Sequence, residues 1–483
     1  MKRERKLMVL SGVLVVCVAG AVVVSRIDFE EKMTGTETTI VDVDSADITY
    51  LAWDYEDDQM AFTREDGEWV YETDAKMPVD QELLDEIAEN LSDITSDKKV
   101  EEVQSLGVYG LSDPAYNITV RTADDTWEIA VGDETFSDGE VYISNGDGYV
   151  YLTDAGLVDD ISYGLLDCVQ KEEIPEMESI SEVKIENEDT VDMVYKEDAG
   201  YCYSDAYTYY LKDGDTYRNL DNEDTEDTFT ALSDFSWEKC VDYYADDQEL
   251  ESYGLKDPDA SVTVTYQPAE EEEDTDSADV DGSTEETGEE STGENREFAY
   301  EVSAADDKYY AKLADSDIVY TISEDVYNAA VNASYDDLKP DEVILLDWDT
   351  VDSIEIELDG QVYTVGVEKD GDDAYKCTLD EEEIGFGDVL DQILAVTTAE
   401  DSDDEESAPE EEPSLENNKS ELKLTFHRNT DEYKTVELEF YQYDGSWCIS
   451  VLNGEEINYT DRSSVVDLKE EINAVILDSG TEA

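Results

Sequence analysis

Positive charge is scarce in this chain of 483 residues. Its 30 lysines and arginines stand against 132 aspartates and glutamates, which gives a net charge of −102. Nucleic-acid binding needs basic side chains that neutralise phosphates, so this composition excludes it. Hydrophobic residues still make up 40% of the chain, too many for a wholly disordered protein. We therefore expect folded, very acidic domains that added salt stabilises by screening repulsion between carboxylates.

Histidine is almost absent, since His427 is the only one. A histidine-based metal cluster cannot form around it alone, and the alternating stretch that contains it puts it on the strand face opposite Phe426. Serine-hydrolase, zinc-protease and phosphate-loop motifs are missing too. Residues 277–288 imitate a calcium loop, but Ser277 and Gly288 occupy the first and last ligand positions. The sequence predicts no catalytic residue, no metal site and no cofactor beyond weak, diffuse calcium or magnesium binding.

Cysteines are few, widely spaced and without a Cys-x-x-Cys pair. This spacing excludes a ribbon-type zinc site and a dense disulfide framework. Apart from Cys17 near the start of the chain, the remaining five are an odd number. At most two bridges could form, and Cys202 and Cys240, which fall in one predicted repeat, are the first pair to test. Isolated, half-buried thiols are the alternative.

Long uncharged runs are absent except near the start of the chain. Four basic side chains within residues 2–6 precede nineteen uncharged residues, Leu7 to Ser25. A helix of that length spans about 28 Å, close to the hydrocarbon thickness of a bilayer. The basic tip predicts a cytoplasmic N-terminus and an extracellular bulk at the cell membrane. The sequence thus predicts a single-pass transmembrane anchor, with a signal peptide cleaved around residues 19–21 as the alternative.

A six-residue motif, Tyr-Gly-Leu-x-Asp-Pro, occurs at residues 109–114 and again at 253–258. Alternating apolar and polar residues follow each copy, which is typical of a strand. Its glycine permits a positive φ, its aspartate caps a turn, and its proline suits the entry to an edge strand. We expect the tyrosine and leucine to fill a groove between helix and sheet. The residues to which the sequence assigns this structural role are Tyr109, Gly110, Leu111, Asp113, Pro114, Tyr253, Gly254, Leu255, Asp257 and Pro258.

Local patterns around the motif predict antiparallel strands and occasional helices. Asp66-Gly67 favours a tight hairpin turn, and Asp80 is a good N-cap for a helix whose apolar face ends at Leu91. Further helices are predicted near 228–235 and 386–396. These signals predict an α+β fold, with one N-terminal transmembrane helix followed by tandem antiparallel β-meander and helix repeat units. The predicted domains are the basic tip and anchor at 1–26, a first unit at 27–178, a second unit at 179–337 with an acidic insertion at 268–295, and a divergent third unit at 338–483 with an acidic linker at 399–419.

Tyrosine is abundant, with 32 residues against nine phenylalanines. Tyrosine is enriched at interfaces, and it also tolerates half-exposed faces of β-sheets. The excess therefore has two interpretations, an ordinary sheet surface or a contact face for a protein or a glycan.

The basic start, the apolar run, the repeated motif and Val131-Gly132-Asp133 together resemble the bacterial domain-of-unknown-function family numbered 4340. The resemblance covers residues 1–330 and is weak in the third unit. It implies a membrane-tethered protein, often encoded beside ABC-type export components related to gliding motility. It brings no catalytic residues.

Taken together, these observations predict a single-pass, membrane-anchored, extracytoplasmic protein that is not an enzyme. We expect a non-enzymatic interaction module, and the resemblance implies that its partners are subunits of an ABC-type transport system. The alternative is a surface-exposed protein that binds cations or the cell wall in adhesion. A hydrolase that uses carboxylates ranks last, because 132 acidic residues offer no pattern that singles out a pair.

Overall fold

The computed structural model describes residues 33–34, 37–56, 58–103, 105–135, 139–187, 190–197, 201–269, 295–358, 360–371, 374–398, 409, 414–415 and 418–479. The predicted anchor, the calcium-like loop and most of both acidic segments lie outside these residues. Contacts divide the chain into two compact units. Unit 1 comprises the described residues up to 173 together with 239–246 and 317–320, and unit 2 comprises 174–238, 247–316 and the residues from 321 onward.

Strands supply most of the regular structure. In chain order they are β1 (Met33–Thr34), β2 (Thr38–Asp42), β3 (Tyr50–Tyr55), β4 (Asp58–Glu65), β5 (Glu68–Tyr71), β6 (Asp93–Ser96), β7 (Lys98–Val100), β8 (Tyr116–Arg121), β9 (Thr126–Glu134), β10 (Glu140–Ser144), β11 (Val150–Asp154), β12 (Met177–Glu186), β13 (Thr190–Tyr195), β14 (Tyr209–Asp213), β15 (Thr216–Asn219), β16 (Cys240–Asp242), β17 (Ala260–Pro268), β18 (Arg296–Ala305), β19 (Lys308–Leu313), β20 (Val319–Thr321), β21 (Val351–Leu358), β22 (Gln361–Lys369), β23 (Tyr375–Leu379), β24 (Glu382–Ile384), β25 (Lys419–Arg428), β26 (Thr435–Gln442), β27 (Trp447–Leu452) and β28 (Glu455–Asp461).

Helices are mostly short and connect or cover the strands. They run Gln81–Ser92, Gly156–Asp159, Asn222–Ser233, Asp247–Tyr253, Glu324–Val331, Tyr335–Leu338, Gly387–Leu394 and Arg462–Ser479.

Unit 1 is built on an antiparallel sheet in the order β1-β7-β11-β10-β9-β8-β3-β4-β5. A small second sheet pairs β2 with β6, and β16 pairs with β20. The helix Gln81–Ser92 buries Leu84, Ile87 and Leu91 along one face. Apolar residues at this helical spacing explain why the segment packs by that face.

Unit 2 contains two antiparallel arrays. One runs β15-β14-β13-β12-β17-β18-β19, and the other runs β24-β23-β22-β21-β25-β26-β27-β28. Buried residues of the second array, such as Ile354, Phe426 and Leu438, join one hydrophobic core with Tyr210 of β14 and with Tyr207, which lies just before that strand. Tyr207 and Tyr210 therefore lie where two layers of unit 2 meet.

The predicted α+β class is wrong. Strands account for 44% of the structure and helices for 22%, in four antiparallel sheets. The alternating stretches dominate because hairpins extend the three larger sheets, whereas most of the helices are short. No helix among the described residues is long and apolar enough to cross a membrane. A fold class with a transmembrane helix is therefore wrong for the part of the chain that the structure describes, and residues 7–25 lie outside that part.

Several local predictions are confirmed. The helix Gln81–Ser92 begins after Asp80, whose carboxylate accepts a hydrogen bond from the Leu83 amide at 3.0 Å. Asp66 and Gly67 both have positive φ values, 54° and 100°, and join β4 to β5. This is the left-handed geometry that a two-residue hairpin requires. The helix predicted near 228–235 instead begins at Asn222.

All five described cysteines are free thiols, so the Cys202–Cys240 bridge is wrong and the alternative of isolated thiols is confirmed. Although both fall in one predicted repeat, contacts assign Cys202 to unit 2 and Cys240 to unit 1. Burial raises the pKa of Cys202 to about 11 and that of Cys240 to about 12, so both thiols stay protonated at neutral pH.

Candidate functional site

Unit 2 contains a cavity of about 270 Å³ whose wall consists largely of tyrosine. Its tyrosines come from four places in the sequence: the segment 201–207, β15, the helix Tyr335–Leu338 and the turn that joins β25 to β26. Distant parts of the chain therefore build one site. The lining tyrosines are Tyr201, Tyr203, Tyr207, Tyr217, Tyr335 and Tyr433.

Local hydrogen bonds hold the segment 201–207 in place. Asn222, at the start of a helix, accepts a hydrogen bond from the Thr208 amide at 3.0 Å and donates one to the Ala206 carbonyl at 2.7 Å. Within the segment, the Ser204 amide donates to the Cys202 sulfur at 3.2 Å. The segment is thus tied to a helix on one side and turned back on itself on the other.

Tyrosine hydroxyl groups of the wall bond to the backbone. The Tyr433 hydroxyl donates to the Tyr201 carbonyl at 3.0 Å, and the Tyr203 hydroxyl accepts from the Leu345 amide at 3.1 Å. These bonds fix ring positions before any ligand arrives, which lowers the entropy lost on binding.

Burial raises the pKa of Tyr203 and Tyr207 far above the usual range, and the nearby Glu342 carboxylate adds to the rise at both. The Cys202 thiol beside them also has a raised pKa. All three groups are neutral at physiological pH. They can offer ring faces and hydrogen-bond donors to a ligand, but they do not supply a general base.

Neighbouring rings around the cavity stand at steep angles. The rings of Tyr201 and Tyr217 lie 5.0 Å apart at 70°, and those of Tyr203 and Tyr207 lie 6.5 Å apart at 74°. Edge-to-face pairs of this kind are the favoured arrangement of aromatic rings. The rings therefore form walls that meet at corners, and they are not a flat stack.

Charged side chains of both signs line the same cavity. The Arg218 guanidinium lies over the Tyr335 ring, 3.9 Å from its centroid. Glu455 lies close enough to raise the pKa of Tyr335, after the larger effect of burial, and Glu342 lies near Tyr203. The two carboxylates outnumber the guanidinium, so the lining carries a net negative charge.

A second, larger cavity of about 640 Å³ shares Arg218 and Tyr335 with the first. Its polar groups are engaged in the fold. The Asn187 side-chain amide donates to the Val331 carbonyl at 3.1 Å, and Asp259 accepts from the Tyr327 hydroxyl at 3.0 Å. We therefore regard the tyrosine-walled cavity as the better candidate for a binding site.

The first copy of the motif forms a close contact between two backbone segments. Gly110 has a φ of +74°, and the Asp133 amide donates to the Tyr109 carbonyl at 2.9 Å. A Cβ at Gly132 would lie 2.1 Å from that carbonyl oxygen. The Tyr-Gly-Leu and Val-Gly-Asp segments thus form one structural contact, with Tyr109 and Leu111 buried.

The second copy uses side chains for a similar contact. Gly254 has a φ of +79°, and a Cβ there would lie 2.3 Å from the Ser303 hydroxyl oxygen. Leu255 is buried, whereas Tyr253 is half-buried. Asp259, just after the motif, accepts from the Ala304 amide at 2.9 Å.

Two details of the motif prediction are wrong. The strands that follow Pro114 and Pro258, β8 and β17, lie between other strands and are not at an edge. Neither proline disrupts the sheet, because each precedes the first residue of its strand. Tyr109 and Leu111 join a buried cluster of strand residues that includes Val150, and not a groove beside a helix. Asp113 and Asp257 are exposed, and both prolines are half-buried.

His427 is half-exposed on β25, with its Nε2 3.4 Å from a carboxylate oxygen of Glu355. Among the residues that the structure describes, no three histidine, cysteine, aspartate or glutamate side chains come together as a metal-binding group.

Comparison with known families gives one match. Residues 69–207 match the family described as Domain of unknown function (DUF4340). Over these residues the chain is similar to members of this family. The match confirms the resemblance inferred from the sequence, over a shorter stretch than residues 1–330, and it includes the first motif copy and the cavity segment 201–207. No curated protein and no solved structure matches the chain.

The cavity residues were missed at the level of sequence, although a signal was present. Between residues 201 and 217 the chain carries six tyrosines, Tyr201, Tyr203, Tyr207, Tyr209, Tyr210 and Tyr217. That density of tyrosines is the local signal for this part of the cavity wall. The contributions of Tyr335 and Tyr433 come from far along the chain and carry no comparable local signal.

Proposed function

We propose that this chain is a non-enzymatic interaction module that works outside the cytoplasm at the cell membrane, as an accessory to an ABC-type transport system. The observation that carries the proposal is the tyrosine-walled cavity of unit 2. Tyrosine is enriched at protein interfaces because its ring contributes large contact area and its hydroxyl a hydrogen bond. The DUF4340 match supports the choice of partner only through what the family resemblance implies.

The tyrosine rings of the wall support a binding role. The Tyr203 and Tyr207 phenols are protonated at physiological pH, as ordinary tyrosines are, and burial raises the pKa of both further, so they act as fixed contact surface. Ring positions are set by bonds to the backbone, such as that from Tyr433 to the Tyr201 carbonyl. Preformed surfaces of this kind suit recognition of a partner.

Site-specific photo-crosslinking in the native host tests the proposal. A photoreactive phenylalanine analogue replaces Tyr433, which is 40% exposed at the cavity. The matched control carries it at Tyr443, which is 38% exposed on the same unit outside the cavity wall. We expect adducts with transporter subunits from position 433 alone. Adducts with transporter subunits from neither position, or equally from both, would contradict the proposal.

Location is tested separately by adding protease to intact cells. An exported chain is digested from outside, whereas a cytoplasmic marker protein survives. Protection of the chain in intact cells, followed by digestion after lysis, would contradict the proposed location.

A second candidate is a surface protein that binds cations or the cell wall. The net charge of −102 favours it, since such a field concentrates cations near the protein. Saturable binding of cell-wall fragments by the purified chain, without any transporter adduct, would favour this candidate over the first.

A further inference from the structure

We infer that the tyrosine-walled cavity binds an alkylated ammonium cation. The inference rests on the proposed function, because it names the ligand chemistry of the same cavity. The cation could be a free quaternary amine or the alkylammonium end of a partner's side chain, and the experiment below separates these two sources.

The ring faces provide the first argument. The π-face of tyrosine carries negative charge density and attracts a cation held within about 6 Å of the ring centroid. Tyr203 and Tyr207 meet at 74°, and Tyr201 and Tyr217 meet at 70°. Walls at such angles can surround a rounded ligand from several sides, whereas a flat stack would offer it one face.

Two basic side chains of the protein already lie against rings of this wall. The Arg218 guanidinium carbon lies 3.9 Å from the centroid of Tyr335, and the Lys196 nitrogen lies 5.6 Å from that of Tyr201. The chain therefore places its own scarce positive charges against the outer rings of the cavity. Tyr203 and Tyr207 line the same cavity and are more deeply buried than Tyr201.

Charge provides the next argument. Glu342 and Glu455 line the cavity, and Arg218 is the basic residue in its lining. A bound cation would be attracted by this net negative lining and by the field of the whole chain. An anion would meet repulsion from both. A neutral glycan would gain nothing from the carboxylates, so a cation fits the observations better.

Size provides the last argument. A cavity of about 270 Å³ is slightly smaller than the pockets that hold drug-sized ligands. It suits a small ligand or a single side chain. Alkyl groups on the nitrogen would lower the cost of removing the cation from water, and tyrosine faces would replace that water.

Calorimetric titration of the purified full chain in about 150 mM NaCl tests the inference, where the salt screens diffuse attraction. Choline is compared with 3,3-dimethylbutan-1-ol, which has the same shape without the charge, and with butylammonium, which imitates a lysine side chain. We expect choline to bind saturably and its neutral counterpart at least about tenfold more weakly. If butylammonium binds as well as choline, the source is a partner's side chain. If it binds far more weakly, the source is a quaternary amine.

Three variants locate the site. Tyr433→Leu removes a ring face from an exposed position, and we expect it to weaken choline binding about five- to tenfold. Glu342→Gln removes one charge while keeping the shape, with an expected loss of about threefold. Tyr433→Phe keeps the ring face and should stay within about twofold of the wild type. Tyr443→Leu is the control outside the cavity wall and should leave choline affinity unchanged.

Three results would overturn the inference: no saturable choline binding, equal binding of the neutral alcohol, or equal losses in Tyr433→Leu and Tyr443→Leu. Binding of neutral cell-wall sugars in place of choline would overturn it as well. None of these results bears on the photo-crosslinking test at position 433, which examines the proposed partner independently. Conversely, choline binding without a transporter adduct would contradict the proposed partner but support the proposed ligand.

Discussion

The two copies of the Tyr-Gly-Leu-x-Asp-Pro motif solve one structural problem in different ways. In each copy a turn must contact the second strand of the hairpin that follows. Strand pairing aligns the two copies, because Val131 lies opposite Tyr116 in the first and Val302 lies opposite Ala260 in the second. Gly132 of the first copy therefore corresponds to Ser303 of the second.

The same backbone amide finds different acceptors in the two copies. In the first, the Asp133 amide donates to the Tyr109 carbonyl at 2.9 Å. In the second, the equivalent Ala304 amide donates to the Asp259 carboxylate at 2.9 Å. The first copy has Ala115 where the second has Asp259. A backbone contact requires glycine on the opposing strand, whereas a side-chain contact tolerates the larger Ser303.

The largest expected effect is that of Gly132→Ala. Its Cβ would lie 2.1 Å from the Tyr109 carbonyl oxygen, and neither group can rotate away because both belong to the backbone. We expect the free energy of unfolding of unit 1 to fall by more than about 3 kcal/mol, measured by urea denaturation. Hydrogen exchange at the Asp133 amide should accelerate as well.

Gly146→Ala is the control for this substitution. Gly146 has a φ of +81° and no atom within 4 Å of the added Cβ, so only backbone strain acts there. That strain costs about 1–2 kcal/mol. Equal losses in the two variants would show that the first copy contains no critical close approach.

Intermediate effects are expected for the two motif glycines. Both have positive φ and share the same backbone strain, but an added Cβ at Gly110 meets the Asp133 backbone nitrogen at 2.6 Å. At Gly254 it meets the Ser303 hydroxyl, which can rotate away. We expect Gly110→Ala to cost about 3 kcal/mol and Gly254→Ala about 2 kcal/mol by denaturation.

A double substitution sharpens this difference. Ser303→Ala removes the hydroxyl that a Cβ at position 254 would meet, so it should recover part of the stability lost in Gly254→Ala. The backbone strain of about 1–2 kcal/mol should remain. If the double variant loses as much stability as the two single variants added together, the steric explanation is contradicted.

Predictions from sequence succeeded where the signal was local. The helix Gln81–Ser92 was found because Asp80 and the apolar spacing lie within one short window. The Asp66-Gly67 hairpin was found because two residues determine the turn geometry. The helix at 222–233 was placed too late because its first turn is entirely polar, and its start depends on the cap at Asp221. Local residue preferences and helix-capping residues therefore account for most of the correct predictions.

Pairing between distant segments could not be predicted in the same way. The edge-strand interpretation of Pro114 failed because β8 pairs with β3, whose sequence lies far upstream. In the cavity wall, Tyr433 donates to the Tyr201 carbonyl across 232 residues of sequence, a contact that no local pattern indicates. Tyrosine abundance allowed two interpretations, an ordinary sheet surface or a contact face, and only the packing of two layers in unit 2 determines which rings line the cavity.

Smaller effects are expected at Asp259, where the two copies differ most in chemistry. Asp259→Ala removes the acceptor of the Ala304 amide and the Tyr327 hydroxyl, which should cost about 1–2 kcal/mol in unfolding free energy. Asp259→Asn retains an acceptor oxygen and should recover about half of that loss. Ala115→Asp in the first copy should change stability by less than about 0.5 kcal/mol, since the Asp133 amide already has a partner. If Ala115→Asp stabilises the protein, the Tyr109 carbonyl does not fully satisfy the Asp133 amide.

The smallest effect concerns salt, and it separates the two contacts by their charge. Screening should raise the melting temperature of the wild-type chain, because its net charge is −102. The loss caused by Gly132→Ala is steric and should be the same at about 20 mM and about 500 mM NaCl. Asp259→Ala also removes one negative charge from a repulsive field, and that relief disappears when salt screens the field. Its cost in unfolding free energy should therefore increase by a few tenths of a kcal/mol at high salt, as measured by denaturation at both concentrations. A salt-dependent cost for Gly132→Ala, or a cost for Asp259→Ala that falls with salt, would contradict the division into a backbone contact and a charged one.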